Sequence, residues 1–289
     1  MAAGIEVEAD WILQRTGIRE RRHARPGASL STLAADAGRA ALVDAGLEAS
    51  ELDFVILATF TADAILPPAS ATVAHLLGAS GAGTFDINNA CTGFISALAT
   101  AEALIAMAGS GNALVIGAEI ISRHLQPGDR TTAAVFGDGA GAAVLAAGAG
   151  GNLGPFVLGA DGAHAELIRA DPLSGMLRMQ GHETFKHAIR RMGEVALQAC
   201  AAAEVELADL DLLVFHQANS RITRSLTARL GLDPGRVVDC IATVGNTSAA
   251  SIPLALEHAR CEGRLCGGER VLLAAFGAGL TWGATVITW

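Results

Sequence analysis

The chain has 289 residues, a formal net charge of −9 and a pI of about 5.3. That balance excludes bulk nucleic-acid binding, which needs a basic footprint, and the length allows one double-sized domain or two fused halves. Hydrophobic residues make up 51% and mean hydropathy is +0.41, but aromatics are only 4% and Gly 34, so close packing of small residues is indicated more than greasiness. The five cysteines are an odd count without a signal-peptide pattern, which predicts reduced thiols in a cytoplasm.

In chain order, the first strand-like run is Leu52 to Leu57. The second, Gly83 to Ile87, leads into Asn88-Asn89-Ala90-Cys91-Thr92-Gly93-Phe94. Phe94, Ile95, Leu98, Ala101, Leu104 and Ile105 then recur at helical spacing, which places Cys91 where a strand turns into a helix. Free N–H groups and the positive dipole end favour thiolate there. Taken alone, a small buried cysteine is the commoner outcome. Phe136 to Leu145, FGDGAGAAVL, lacks the lysine-serine ending of a phosphate loop and predicts a turn and a strand. Gly148 to Gly154 predicts a linker, dividing the chain into halves at 1–150 and 151–289.

In the second half, Leu210 to Phe215 predicts a buried parallel strand with His216 at its C-terminal end, where open α/β sheets bind ligands. Gly245 to Ser251 is a small-residue turn containing Asn246 and opening another helix. Cys, His and Asn form a known nucleophile constellation if the fold brings them together. Cys261 and Cys266 have no second pair, so zinc is not expected. Val271 to Trp289 is 19 residues without a charge, long enough to span a bilayer. Gly277, Gly279 and Gly283 punctuate it, so two buried strands joined by a glycine turn are predicted instead.

The two halves repeat. Leu52 to Leu57 answers Leu210 to Phe215, Asp86 answers Asp239, and Phe94 to Leu98 answers Ile252 to Leu256, at a nearly constant offset. This internal duplication predicts two similar sheets about a pseudo-dyad, with Cys91 and Asn246 on equivalent turns near the axis.

The Cys91, His216 and Asn246 stretches resemble the catalytic segments of β-ketoacyl-acyl carrier protein synthase III, a condensing-enzyme family of thiolase-like fold. WILQRTGIRERR from Trp11, MQGHETFK from Met179 and FGAGLTWGA from Phe276 fit the same pattern. The resemblance implies an α/β fold of two pseudo-symmetric halves in α/β/α/β/α layers, with mixed five-stranded sheets. Its members begin with a further strand ahead of the Trp11 segment, so the first sheet is expected without that edge strand and the Gly141 to Leu145 run is expected to carry a free edge.

By the same resemblance, Cys91 takes an acyl group from acyl-CoA. Decarboxylation of a malonyl group on acyl carrier protein then supplies the carbanion, with no cofactor and no metal. His216 and Asn246 would hydrogen-bond the enolate oxygen, and the N–H groups of Cys91 and Ala278 would form a second oxyanion hole. Trp11 and Arg130 would sandwich the adenine of coenzyme A, with Arg15 and Thr16 near its phosphates and ribose. Gly181, Phe185, Ala218 and Asn219 would line the pantetheine tunnel. Leu66 would reach across a homodimer to close the acyl pocket. Lys186, Arg221 and Arg224, within basic clusters that include Arg190, Arg191 and Arg229, would steer an acidic carrier protein. Alternatives are a starter-unit acyltransferase of polyketide-type metabolism and a non-catalytic dimer partner.

Overall fold

A computed structural model describes residues 5–148, 152–171 and 173–289. Near the N-terminus are helices α1 (Ala9–Thr16) and α2 (Leu30–Ala45). Next come β1 (Phe54–Ala58), α3 (Ala69–Leu77), β2 (Gly83–Ile87), α4 (Gly93–Ala108), β3 (Asn112–Glu119) and β4 (Gly139–Ala146). The second half runs β5 (Asn152–Ala160), β6 (Ile168–Ala170), β7 (Leu177–Met179), α5 (Gly181–Ala202) and β8 (Leu212–Phe215). It closes with α6 (Ser220–Arg229), α7 (Ile241–Val244), α8 (Ser251–Cys261), β9 (Arg270–Gly277) and β10 (Thr281–Thr288).

The strands are apolar on both faces because both faces are covered. In β1 and β3, Val55, Leu57, Leu114 and Ile116 face one core while Ile56, Ala58, Ala113 and Val115 face another. β9 divides in the same way, Val271, Leu273 and Ala275 against Leu272, Ala274 and Phe276. This two-residue period sets the layers. Helices α2 and α3 cover the outer face of the first sheet, α5 and α6 lie outside the second, and α4 and α8 fill the space between. The segment Ala90–Ala108 is long and apolar enough by composition to cross a membrane. Here Phe94, Ile95, Ala97 and Ala101 on it are fully enclosed between the sheets.

The first sheet runs β2-β1-β3-β4 and the second β5-β10-β9-β8. β1 is parallel to β2 and β3, β8 is parallel to β9, and the remaining pairs are antiparallel, so both sheets are mixed. Each has four strands: the first lacks its expected edge strand, and the second has one fewer than the expected five. Beside β8 the fifth is reduced to one bridge, Leu213 with Val237, in the short stretch between the Pro234–Arg236 turn and α7. In the first sheet, β4 has no outer neighbour among the described residues, whereas its counterpart β10 carries β5. The linker expected over Gly148 to Gly154 is shorter than that: β5 begins at Asn152, and 149–151 lie outside the described residues.

The duplication extends to backbone detail. A short 3₁₀ turn, Ala90–Thr92, precedes α4, and an equivalent turn, Ser248–Ala250, precedes α8. Ala90 and Ser248 both have positive φ, 45° and 50°, uncommon for residues with a side chain. The two turns touch across the pseudo-dyad. In this register the partner of Cys91 is Ala249, and Asn246 corresponds to Asn88. Cys91 and Asn246 are therefore on equivalent turns but not at equivalent positions.

That contact depends on missing side chains. A Cβ on Gly117 would fall on the Ala249 carbonyl, and one on Gly277 would lie 2.9 Å from the Cys91 nitrogen. The obstructing atoms are backbone, which cannot swing aside. Gly117→Ala is expected to destabilise by about 1–3 kcal/mol, read as a lowered Tm. Gly162→Ala, which meets nothing within 4 Å, should leave Tm close to that of the unsubstituted protein.

Candidate active site

Three chain segments bring Cys91, His216 and Asn246 to the walls of one cavity of about 640 Å³. Cys91 sits in the 3₁₀ turn two residues ahead of α4, so it is near the helix start but not on it. His216 directly follows β8, with its N–H donating to the Ala274 carbonyl at 2.8 Å. Asn246 is pinned by its backbone, donating to Val135 O at 3.0 Å and accepting from Gly137 N at 2.9 Å. Its side-chain Oδ1 accepts from Ser248 N at 3.0 Å. That bond fixes the amide orientation, and among the described residues its Nδ2 has no acceptor.

His216 is 2% exposed. Burial lowers its pKa from 6.5 to about 4, so the ring is neutral at pH 7. Its Nδ1 is sealed without a partner, which leaves Nε2 as the nitrogen open to the cavity. A buried N–H without an acceptor is costly, so the proton belongs on Nε2, where a substrate oxygen can accept it.

The thiol departs from expectation. Burial pushes Cys91 up to about 12, the Ser248 hydroxyl pulls it down, and the charge of Glu119 adds to the rise. Desolvation outweighs the helix-end effect that predicted a thiolate. The resting group is a thiol, partly open to the cavity. Neither the Cys91 N–H nor the Ala278 N–H donates to a backbone carbonyl among the described residues, the Cys91 N–H facing its own sulfur, so both can turn to an oxyanion.

The remaining expected residues divide. Trp11, Arg15, Thr16, Arg130, Gly181, Phe185, Ala218, Asn219 and Arg221 all line the cavity. Trp11 is stacked by Arg15, whose Cζ lies 4.5 Å from the ring centre, and Arg130 donates to Glu6 O at 3.4 Å. The Thr16 hydroxyl is held locally, donating to Ile12 O at 2.7 Å and accepting from Ile18 N at 3.1 Å. Asn219 caps α6 through Arg221 N and ties Nδ2 to Arg15 O, so it orients the mouth of the cavity.

Leu66, Lys186 and Arg224 lie outside the cavity. Leu66 is 80% exposed. Lys186 pairs with Glu183 at 2.9 Å. Arg224 braces on Ser220 but shares a groove with Gln14, Arg15 and Arg221. Arg191, counted in the basic rim, stacks on Trp282 and pairs with Asp161 and Glu194, so it adds little free charge. The rim at the mouth reduces to Arg15, Arg221 and Arg224. Sequence reasoning missed Glu119, at the carboxyl end of β3 and 0% exposed; a carboxylate ending an apolar strand was the available signal.

The sequence profile of the 3-oxoacyl-[acyl-carrier-protein (ACP)] synthase III C terminal matches residues 200–289, and that of 3-oxoacyl-[acyl-carrier-protein (ACP)] synthase III matches 85–162. A beta-ketoacyl-[acyl-carrier-protein] synthase III from Streptomyces coelicolor is 46% identical, over 99% of this chain and 90% of the relative. The chain belongs to the 3-oxoacyl-[acyl-carrier-protein] synthase III family. It is an acyltransferase-type condensing enzyme. The Rhodospirillum rubrum family member is likewise 46% identical, over 99% of this chain and 93% of the relative. The crystal structure of the Aquifex aeolicus synthase superposes with a TM-score of 0.96 at 40% identity, covering 99% of this chain and 93% of the other. A priming beta-ketosynthase of a polyketide biosynthetic pathway gives 0.94 at 36% identity, over 99% and 90%. The thiolase-like fold of the synthase III family is therefore that of this chain.

The neutral state of His216 has a thermodynamic signature. With the folded value lowered from 6.5 to about 4, the folded protein binds fewer protons than the unfolded chain between those limits. Stability from this residue is present above 6.5 and lost as pH falls through about 4. Tm measured from pH 8 down to about pH 4 should fall less steeply below pH 6.5 in His216→Gln than in the unsubstituted chain.

Proposed function

We propose that the enzyme uses Cys91, His216 and Asn246 as one catalytic constellation, initiating fatty-acid synthesis as a β-ketoacyl-acyl carrier protein synthase III. Their convergence at a single cavity, whose lining also includes Trp11 and Arg15, is the observation that carries the reading. The Cys91 sulfur attacks the thioester carbonyl of acyl-CoA, the carbon–sulfur bond to coenzyme A breaks, and an acyl-enzyme remains. The Cys91 and Ala278 N–H groups take the oxyanion of that step. A malonyl thioester on acyl carrier protein then loses CO₂, and its electron pair becomes an enolate held by His216 Nε2–H and the Asn246 amide. The enolate carbon attacks the acyl group on Cys91 and releases a 3-oxoacyl-carrier protein. Preorganised donors of this kind are worth a few kcal/mol each in a water-poor site.

Acyl-CoA and malonyl-acyl carrier protein are substrates in this scheme, which uses no cofactor. A cytoplasmic setting fits the five free cysteines, of which Cys261 and Cys266 are exposed. Arg15, Arg221 and Arg224 at the mouth supply the positive field for an acidic carrier. A two-fold homodimer is supported by the loop carrying Ile65 and Leu66, 99% and 80% exposed, an apolar pair poorly suited to solvent.

Intact-mass analysis after incubation with acyl-CoA should show one acyl group on Cys91 and none on Cys91→Ala; label persisting in that variant would remove the assignment. Replacing His216 or Asn246 by Ala should spare acylation while lowering malonyl decarboxylation by about 10²–10³. Equal loss of both half-reactions would place these residues elsewhere in the mechanism. Sedimentation should give a dimer, and Leu66→Asp should weaken it.

A further inference from the structure

Glu119 is a buried carboxyl that the scheme above leaves without a task. It ends β3 with no exposed surface, and no cation pairs with it among the described residues. One oxygen is fully used. Oε2 accepts from Thr61 Oγ1 at 2.7 Å, Thr59 Oγ1 at 3.1 Å and Phe60 N at 3.3 Å. Thr61 Oγ1 is itself oriented by Ile120 N at 2.9 Å. The other oxygen, Oε1, is buried and has no partner, and so is the Ser248 hydroxyl. An orphaned acceptor and an orphaned hydroxyl side by side are rare, because each forfeits its hydration.

Ser248 is the residue through which these orphans meet the site. Its hydroxyl acts on the Cys91 thiol on one side and on the Glu119 carboxyl on the other, without an aligned hydrogen bond to either. Its backbone is held at φ 50° and its N–H holds the Asn246 amide, so its position is over-determined. Of the titratable groups nearby, Cys91 feels the Glu119 charge, while His216 is shifted by burial alone.

We propose that Glu119 accepts the Cys91 thiol proton through the Ser248 hydroxyl and holds it while the acyl-enzyme exists. The proposal rests on the reading of Cys91 as the acylated nucleophile. As the thiol sulfur attacks the thioester, its proton passes to Ser248 Oγ, and the Ser248 proton passes to Glu119 Oε1, turning carboxylate into carboxylic acid. Coenzyme A leaves as a thiolate and takes a proton from water. In condensation the new carbon–carbon bond forms, the carbon–sulfur bond to Cys91 breaks, and the proton returns by the same route. Burial pushes Glu119 up to about 7 against its three hydrogen bonds, so both forms are accessible at neutral pH. A thiol held far above its ordinary range needs such an acceptor, and His216, lowered to about 4, is a poor one.

Two measurements test this. The first is alkylation of Cys91 by iodoacetamide from about pH 6 to about pH 9.5, which does not depend on any acyl chemistry. Glu119→Gln and Ser248→Ala should lose the limb near neutrality, slowing at least about tenfold at about pH 7.5 and approaching the unsubstituted rate at the alkaline end. Glu119→Asp should recover part of it. Alkylation in Glu119→Gln that is unchanged or faster at about pH 7.5 would show that Glu119 is only a repelling charge, overturning the proposal. A lowered Tm with an unaltered pH profile would also overturn it, in favour of a packing role. The second measurement needs no variant. The first turnover with acyl-CoA, followed by a pH-indicator dye in weak buffer at about pH 7.5, should show transient uptake of up to about three-quarters of a proton per Cys91 acylated, the fraction of Glu119 ionised beforehand. Acylation without proton uptake overturns proton storage, whereas no acylation at all with normal alkylation would fail the reading of the substrate instead.

Discussion

The meeting of two tight turns at the pseudo-dyad is the constraint on which the site depends. Ala90–Thr92 and Ser248–Ala250 approach so closely that Gly117 and Gly277 have no room for a Cβ. Close packing of this kind converts small displacements into large energies. It also places the candidate groups to within a rotamer: Cys91 on one turn, and the Ser248 N–H that orients Asn246 on the other. α4 and α8, which start from these turns, form the middle layer of the molecule, so the geometry of the cavity and the packing of the core are the same problem.

Electrostatics follow from that enclosure. Water is largely excluded where the turns meet, so desolvation is the largest influence on Cys91, Glu119 and His216 alike. It acts in opposite senses, raising the two acids and lowering the base. All three are thereby pushed toward their neutral forms, fully for Cys91 and His216 and, for Glu119, only far enough that both of its forms are present at neutral pH. A site of this kind stabilises transient oxyanions with dipoles that are already in place, and screening by salt reaches it weakly.

Much of this was legible in the sequence, for identifiable reasons. The strand at Gly83–Ile87 and the two strands within Val271–Trp289 follow from composition and glycine placement alone. The repeat exposed the two halves because a duplicated unit preserves its apolar spacing. Cys91, His216 and Asn246 were visible because each stands at a strand end or in a small-residue turn. Contacts between distant segments were not visible. Arg15 over Trp11 and Arg191 over Trp282 depend on rotamers and tertiary approach, as does the closure of the Thr16 hydroxyl on Ile12. The thiol was misjudged because proximity to a helix start can be read from spacing, whereas the loss of hydration around a sulfur cannot. Glu119 escaped for a similar reason: its isolation among Thr59, Thr61 and Ser248 is assembled from three separate stretches of chain.

Ala249 has a significance that its plain side chain conceals. It occupies, in the second half, the place Cys91 holds in the first, on a turn with the same positive-φ entry and the same 3₁₀ geometry. The molecule thus carries its own control: one copy of the turn closed with a sulfhydryl, the other with a methyl, both tightly packed. The frame does not need sulfur to adopt its shape. Whatever distinguishes the two copies in behaviour belongs to the thiol and its surroundings, and the inert twin shows what that scaffold is when its chemistry has been taken away.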